Sequence, residues 1–207
     1  MCDKGVLTVI SGFSGAGKGT IVKQLCSSYQ YGLSISATSR QPRVGEENGR
    51  EYFFKTKEEF EQMIQNDELI EWVEYVGNYY GTPKSYISEQ LALGNNVILE
   101  IEMEGALNVK KSFPDALLVF VTPPSALELK KRLTDRGTET QDVIKKRLKR
   151  ASEESAFMAS YDYIVINDVL DDAVNQIHSI IQNEQAKVKN NQNLLARMTE
   201  ELQEFAK

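Results

Sequence analysis

The stretch that decides the fold is VLTVI at residues 6–10, followed by Ser11-Gly12-Phe13-Ser14-Gly15-Ala16-Gly17-Lys18-Gly19-Thr20 and then IVKQL at residues 21–25. The first segment is nearly continuous in branched and apolar residues, as a strand covered on both faces should be. The last has a helical pattern. Between them, three glycines ahead of Lys18 permit backbone turns that a side chain would block, so amide groups can converge on phosphate oxygens. The helix start adds a partial positive charge and Lys18 a full one. Strand, glycine-rich turn, lysine and helix in this order predict a phosphate loop for a nucleoside triphosphate. The general pattern places Ser or Thr directly after the lysine, whereas here Gly19 stands there and Thr20 comes next. A direct magnesium ligand is therefore not expected at position 19, and Thr20 could hold a phosphate oxygen or a magnesium-bound water.

Working outward, further short apolar runs at 97–101, 116–121 and 163–166 alternate with helical segments at about 17–28, 84–93, 125–135, 141–158 and 171–190. Ser125 with Glu128, and Thr138 with Gln141, fit capping boxes at two helix starts. Such alternation predicts an α/β fold with a parallel sheet, right-handed crossovers and ligands at the carboxyl ends of strands. Residues 37–92 read differently. EYFF is followed by a helix capped at Thr56, with Glu59 three residues on, and then by LIEWVEYV, which alternates. That pattern predicts a smaller, partly antiparallel sheet with one wet face, inserted into the core. The tail from about 184 to 207 is polar and helical in pattern; a surface helix and a frayed end both fit it.

Composition bounds the partners. The 207 residues are 41% hydrophobic and 26% charged, a globular balance. A net charge of -6 argues against a broad nucleic-acid or anionic-membrane surface. No apolar run approaches the roughly 20 residues of a membrane span, and the opening MCDKGVLTVI lacks the design of a secretory leader. Cys2 and Cys26 make no disulfide framework, and no Cys/His spacing suggests zinc. His178 is expected on the surface of a helix, and a reducing cytoplasm is the simplest address.

A second ligand site is suggested by Thr38-Ser39-Arg40-Gln41-Pro42-Arg43. Two guanidiniums three residues apart, on a segment stiffened by Pro42, suit a phosphate monoester, though such pairs also occur on solvated surfaces. Tyr52 and Tyr80 could add hydroxyl donors. Glu71 lies in LIEW, an alternating run in which a solvent-facing glutamate is the default reading. Glu100 and Glu102 end the second apolar strand, a position that favours function.

The runs SRQPRVGEENGREYFF, IEWVEYVGNYYGTPKS, LEIEMEGA and RLTDRGTET with KKRL together resemble the guanylate kinase family over about residues 5–185. The resemblance implies a P-loop NTPase-type parallel sheet core (1–36, 93–130 and 150–190), flanked by helices. It also implies an inserted mixed-sheet GMP-binding subdomain (37–92), a helical lid (131–149) and a polar helical tail (184–207). It implies transfer of the γ-phosphoryl group of ATP to GMP, and to dGMP, with Mg2+ as cofactor, within purine nucleotide metabolism and GMP recycling. By the same resemblance ATP is bound at Gly12, Ser14, Gly15, Ala16, Gly17, Lys18, Gly19, Thr20 and Asn167, with Asp168 nearby. The GMP phosphate falls to Arg40, Arg43, Tyr52 and Tyr80, and the base to Ser36, Glu71, Thr82 and Glu102. Lys18, Arg136 and Arg147 are the catalytic candidates, Gly137 the lid hinge, and Glu100 a metal contact, direct or through water. The family often has aspartates where this chain has Glu100 and Glu102, which keeps the charge and changes its reach. Lys145, Lys146, Lys149 and Arg150 suit a helix face turned to water. Two other readings compete. One is a kinase acting on AMP, against which Glu71 and the Arg40/Arg43 pair speak. The other is a non-catalytic guanylate-kinase-like scaffold module, against which the intact phosphate loop and lid arginines speak. No nucleic-acid or membrane partner is expected, and the oligomeric state is left open.

Overall fold

A computed structural model describes residues 4–75, 77–135 and 140–206. The first half of the chain runs β1 (Leu7–Gly12), α1 (Lys18–Tyr29), β2 (Gly32–Leu33), β3 (Ala37–Thr38), β4 (Phe53–Phe54), α2 (Lys57–Gln65), β5 (Leu69–Tyr75), β6 (Asn78–Pro83) and α3 (Lys84–Ala92). The second half runs β7 (Val97–Glu100), α4 (Met103–Ser112), β8 (Leu117–Thr122), α5 (Ala126–Asp135), α6 (Gln141–Ser155), β9 (Tyr163–Ile166), α7 (Leu170–Gln185) and α8 (Gln192–Phe205).

β1 is the middle strand of a five-stranded sheet ordered β2-β7-β1-β8-β9, in which every neighbouring pair is parallel. All six of its residues are buried, as continuous apolar character requires. One face packs Ile10, Val119 and Val121 with Ile21 and Leu25 of α1 and Ile177 of α7. The other packs Leu7, Val9 and Leu99 with Ile87 and Leu91 of α3 and Ala106 and Val109 of α4. α3, included by its sequence in the insertion, thus buries its apolar side on the core. Parallel pairing aligns the carboxyl ends of β1 and β7, so Gly12 and Glu100 emerge on the same edge.

The apolar run at 163–166 forms β9 as expected, but at the edge of the sheet. Only Val165 is buried there, while Ile164 and Ile166 remain about half exposed. The helix α4 is not legible in the sequence: Gly105 lowers its helical propensity and only Ala106 and Val109 mark an apolar face.

The insertion is a four-stranded sheet ordered β4-β3-β6-β5, with β3–β4 parallel and the other two pairs antiparallel. The Thr56 capping box is complete: its hydroxyl accepts the Glu59 N–H at 3.1 Å, and Glu59 accepts the Thr56 N–H at 2.7 Å. This seats Phe60 beneath the sheet with Ala37 and Leu69. The expected alternation of β5 fails in its first half, where Leu69, Ile70 and Glu71 are all buried. The cause is a register shift against β6 between Leu69 and Glu71, which sends Leu69 to the insertion's core and Ile70 to the main core.

Other local expectations are modified by side-chain competition. Ser125 accepts the Glu128 N–H at 3.1 Å, but Glu128 turns to Arg132 at 2.8 Å instead of closing the box. Thr138 lies outside the described residues, and α6 starts after Thr140, whose side chain makes no cap bond. His178 is half-buried: it stacks on Tyr29 at 3.6 Å between ring centres and bonds the Tyr31 hydroxyl at 2.7 Å. Among the described residues no helix is long and apolar enough to cross a membrane.

Candidate active site

The loop between β1 and α1 is held in shape from three sides. Gly12 has φ +149, and a Cβ there would stand 2.0 Å from the Val121 carbonyl oxygen, so only glycine lets β1 reach its end beside β8. Gly17 caps α1 in the left-handed region, at φ +90. A Cβ on it would meet the Asn167 amide at 2.5 Å. Asn167, buried, donates from Nδ2 to the Ala16 carbonyl at 2.8 Å, so its amide braces the phosphate loop from behind. Asp168 beside it is exposed. Gly15 and Ala16 form the turn, and Gly19 and Thr20 open α1 on the exposed side.

Lys18, the first residue of α1, folds back over the loop. Its Nζ donates to the Gly12 carbonyl at 2.6 Å and to that of Phe13 at 3.3 Å. Glu100 ends β7 beside it, its carboxyl oxygens 3.7 Å from where a Gly19 Cβ would be. Glu100 keeps exposed surface, yet neighbouring atoms crowd its carboxyl enough to raise its pKa; Lys18 partly offsets this and Glu102 adds to it. On the outer side of the loop, Ser14 Oγ receives Nη1 of Arg147 from α6 at 3.0 Å. Arg136 lies outside the described residues, as does Gly137.

The insertion brings together two clusters. In the first, Arg40 donates through Nη2 to both oxygens of Glu46, at 3.0 and 2.9 Å, and its guanidinium lies 5.5 Å from the Tyr52 ring centre. Tyr80 stands edge-on to Tyr52 at 6.0 Å between ring centres. Glu46 also accepts the Arg43 N–H at 2.7 Å, while the Arg43 residue is exposed. That N–H, with the Arg40 guanidinium, holds the Glu46 carboxyl below the usual range. Burial raises the Tyr52 hydroxyl, and the charges of Tyr80 and Glu100 contribute.

In the second cluster the Thr82 hydroxyl donates to Glu71 Oε1 at 2.7 Å. Thr82 is fully buried and Glu71 only 7% exposed. Burial pushes the Glu71 carboxyl up to about 7, the Thr82 bond pulling it partly back. Oε2 lies against Gly105 of α4, where a Cβ would approach to 3.0 Å. Ser36 precedes β3, half-buried, its carbonyl accepting the Phe53 N–H at 2.9 Å.

Glu102 is not joined to that pair by a hydrogen bond. It precedes α4 as its N-cap residue and is paired with Arg150 of α6 at 3.6 Å. Arg150 also bonds Glu154 at 2.8 Å and lies 5.9 Å from the Tyr75 ring centre. It is exposed like Lys145, Lys146 and Lys149 and carries these contacts in addition. Sequence reasoning misses Glu46, Gly105 and Arg150. Glu46 has a signal, a carboxylate one turn after two arginines. Gly105 and Arg150 act through contacts across 34 and 48 residues of chain, which no local pattern carries.

Comparison with known proteins agrees with this geometry. The model of the family described as guanylate kinase matches residues 4–184. A guanylate kinase of Caldanaerobacter subterraneus is 49% identical over 199 residues, covering 96% of this chain and 97% of its own. That of Bacillus cereus is 49% identical, covering 96% and 98%. A crystal structure of guanylate kinase from Anaplasma phagocytophilum superposes with a TM-score of 0.73 at 28% identity, covering 91% and 90%. A match that takes in the phosphate loop, the inserted sheet and both arms of the site in one continuous span leaves one assignment: the chain belongs to the guanylate kinase family.

Proposed function

We propose that this protein transfers the γ-phosphoryl group of ATP to GMP, giving ADP and GDP. The observation that carries the reading is the buried Glu71–Thr82 pair in an inserted sheet that also carries the Arg40–Glu46 cluster, in a chain whose first strand leads into a phosphate loop. A carboxylate kept in apolar surroundings, with one oxygen already committed to Thr82, is matched by guanine's adjacent N–H donors and not by adenine's edge. Arg40, Arg43, Tyr52 and Tyr80 hold the GMP phosphate; Ser36, Glu71, Thr82 and Glu102 address the base. dGMP carries the same base and phosphate and is expected as a second acceptor.

In the reaction an oxygen of the GMP phosphate attacks the γ-phosphorus, the bond from that phosphorus to the β–γ bridging oxygen breaks, and the electrons leave with ADP. The acceptor is already an oxyanion, so no general base is required, and catalysis is positioning plus charge stabilisation. Lys18 exchanges its loop carbonyls for phosphate oxygens, and Arg147 and Arg136 reach across the transferring group. Water is the competing nucleophile, so closing the insertion and lid over both nucleotides protects the transfer.

The donor set fits magnesium. Among the described residues no three His, Cys, Asp or Glu side chains converge. Mg2+ with ATP needs only one or two carboxylates beside phosphate oxygens and waters. Glu100 would supply the carboxylate, directly or through water, with Thr20 on a phosphate or a bound water. The ion, when bound, neutralises charge on the β- and γ-phosphates. A cytoplasmic address fits these substrates and the free thiol of Cys26.

The test is a coupled assay of ADP formation with Mg2+-ATP against GMP, dGMP, AMP, CMP and UMP. GDP formation with strong preference for GMP and dGMP is expected. Folded protein, verified by circular dichroism, that makes no GDP would overturn the reading.

A further inference from the structure

A carboxylate that helps to read a base must be held still, and Glu102 has little of its own to hold it. It is the N-cap residue of α4 and starts the turn of helix whose Gly105 closes over Glu71 Oε2. Its side chain is more than half exposed and has one torsion more than an aspartate, so by itself it would sample several rotamers. Burial raises the Glu100 carboxyl and the charge of Glu102 adds to the rise, so these two carboxylates also push each other apart.

Arg150 answers both problems from α6. Its Nη2 lies 3.6 Å from Glu102 Oε2, too long for a hydrogen bond and so a contact of charge. Two further partners fix the arginine itself. Nε donates to Glu154 Oε1 at 2.8 Å, on a side chain only 9% exposed, and the guanidinium lies 5.9 Å from the Tyr75 ring centre. Tyr75 follows Glu71 by four residues on β5, beyond the register shift, and so shares its face of the strand. One turn earlier on α6, Arg147 bonds Ser14 of the phosphate loop. A single helix thus touches the loop, the start of α4 and the inserted sheet. We infer, taking the insertion as the GMP site, that Arg150 is a positioning residue for guanine, holding Glu102 where the 2-amino group needs a second acceptor. Glu71 can take the ring N–H and one amino hydrogen, and the other amino hydrogen then falls to Glu102. Hypoxanthine keeps the ring N–H and lacks the amino group, so GMP against inosine monophosphate (IMP) isolates this contact.

Kinetics with the two acceptors test it. In Arg150→Gln the Michaelis constant for GMP should rise about fivefold, the scale of a half-exposed ion pair. That for IMP should move less than about 1.5-fold and turnover at saturation less than about twofold, so the GMP/IMP ratio of kcat/KM narrows. In a Glu102→Gln background the same substitution should leave the ratio where it is, because Arg150 acts through that carboxylate. Arg150→Lys keeps a charge beside Glu154 without the planar fork, should narrow the ratio about twofold, and carries the test if the Gln variant does not fold. Equal losses toward GMP and IMP overturn the role, as does a narrowing of the same size with Glu102 already replaced. A parent that forms GDP while its variants leave the ratio unmoved overturns the role of Arg150 alone; a parent that forms none overturns the GMP site with it.

Discussion

The phosphate loop and the inserted sheet solve the same problem, holding a phosphorylated nucleotide, by opposite means. The loop works through backbone: Gly12, Gly15 and Gly17 turn it at positive φ, and Lys18 rests on the loop's own carbonyls at 2.6 and 3.3 Å. The insertion works through side chains drawn from β5, β6 and the turn after β3, each charged group held by another. Arg40 is gripped by Glu46, and Glu71 by Thr82. A site made of backbone is indifferent to which nucleoside carries its phosphates. A site made of paired side chains can refuse a wrong base, because refusal leaves a buried polar group without its partner. Damage to the loop should therefore appear in turnover, and damage to the insertion in affinity and selectivity.

The largest expected effect tests the loop's half of that contrast. Lys18→Met removes the one full charge that the loop brings to the phosphates, while the glycine turns and Asn167 keep the backbone in place. Turnover should fall by a factor of a hundred or more, with little change in the GMP dissociation constant or the far-ultraviolet spectrum. A variant keeping more than about a tenth of parental turnover, roughly 1.4 kcal/mol of barrier, would mean that the lysine does not serve the transition state.

The insertion's half is tested by Glu71→Gln, which keeps the shape and turns part of the acceptor into a donor facing guanine's donors. The Michaelis constant for GMP should rise by about 10- to 100-fold, in line with roughly 1–3 kcal/mol for a mispaired buried group. That for ATP should stay within about twofold, and the GMP/AMP ratio of kcat/KM should narrow. Equal losses toward both monophosphates would make Glu71 a structural residue only.

The same contrast explains which features are legible in the amino-acid sequence alone. Four of the five core strands, all but β2, and the helices α1, α2, α3, α5, α6 and α7 are legible because apolar runs, caps and 3.6-residue periods are local, and so is the phosphate loop. The parallel pairing also follows, because strands buried on both faces and joined by helices leave few other topologies. The shift that breaks alternation in β5 is not legible, since it exists only against β6, and neither is the edge position of β9. Glu71 is legible as a residue, but its apolar surroundings, which depend on Gly105 in α4, are not. Asn167, which the family resemblance gives to ATP, also bonds Ala16 of the loop, a contact between residues 151 apart that no local pattern carries.

Titration offers a smaller and reversible version of the Glu71 experiment. With its pKa pushed up to about 7, the carboxyl is largely protonated at pH 6 and presents an O–H to guanine's donors. kcat/KM for GMP should therefore rise with pH, by up to about tenfold per unit below 7, and level off near 8. The GMP phosphate itself titrates near 6, so Glu71→Gln should keep that lower step and lose the one near 7. The sign for stability is opposite. Between about pH 4.5 and 7 the folded chain keeps a proton that the unfolded chain releases, so this group's contribution to stability declines as pH rises through that window. A kcat/KM profile that is the same for parent and variant would remove Glu71 from base recognition.

The smallest effect concerns Glu46, and it asks whether the arginines of the insertion are prepared or merely present. Glu46 ties Arg40 through both oxygens and the Arg43 backbone through a third bond at 2.7 Å, so it fixes the Arg40 guanidinium against the backbone that carries Arg43 before GMP arrives. It also carries a negative charge into a site meant for a dianion, so the two effects oppose each other. Glu46→Gln keeps one acceptor oxygen for the Arg43 N–H and removes the charge; Glu46→Ala removes both. If order matters more, Gln should raise the Michaelis constant for GMP by less than about threefold and Ala by about tenfold, with turnover at saturation unchanged in both. If charge matters more, both variants should bind GMP more tightly than the parent, most clearly at low ionic strength, where screening is weak. The first outcome extends the contrast with the loop, whose lysine needs no second side chain to position it. The second would mean that the insertion gives up phosphate affinity to keep its arginines in place, leaving discrimination to Glu71.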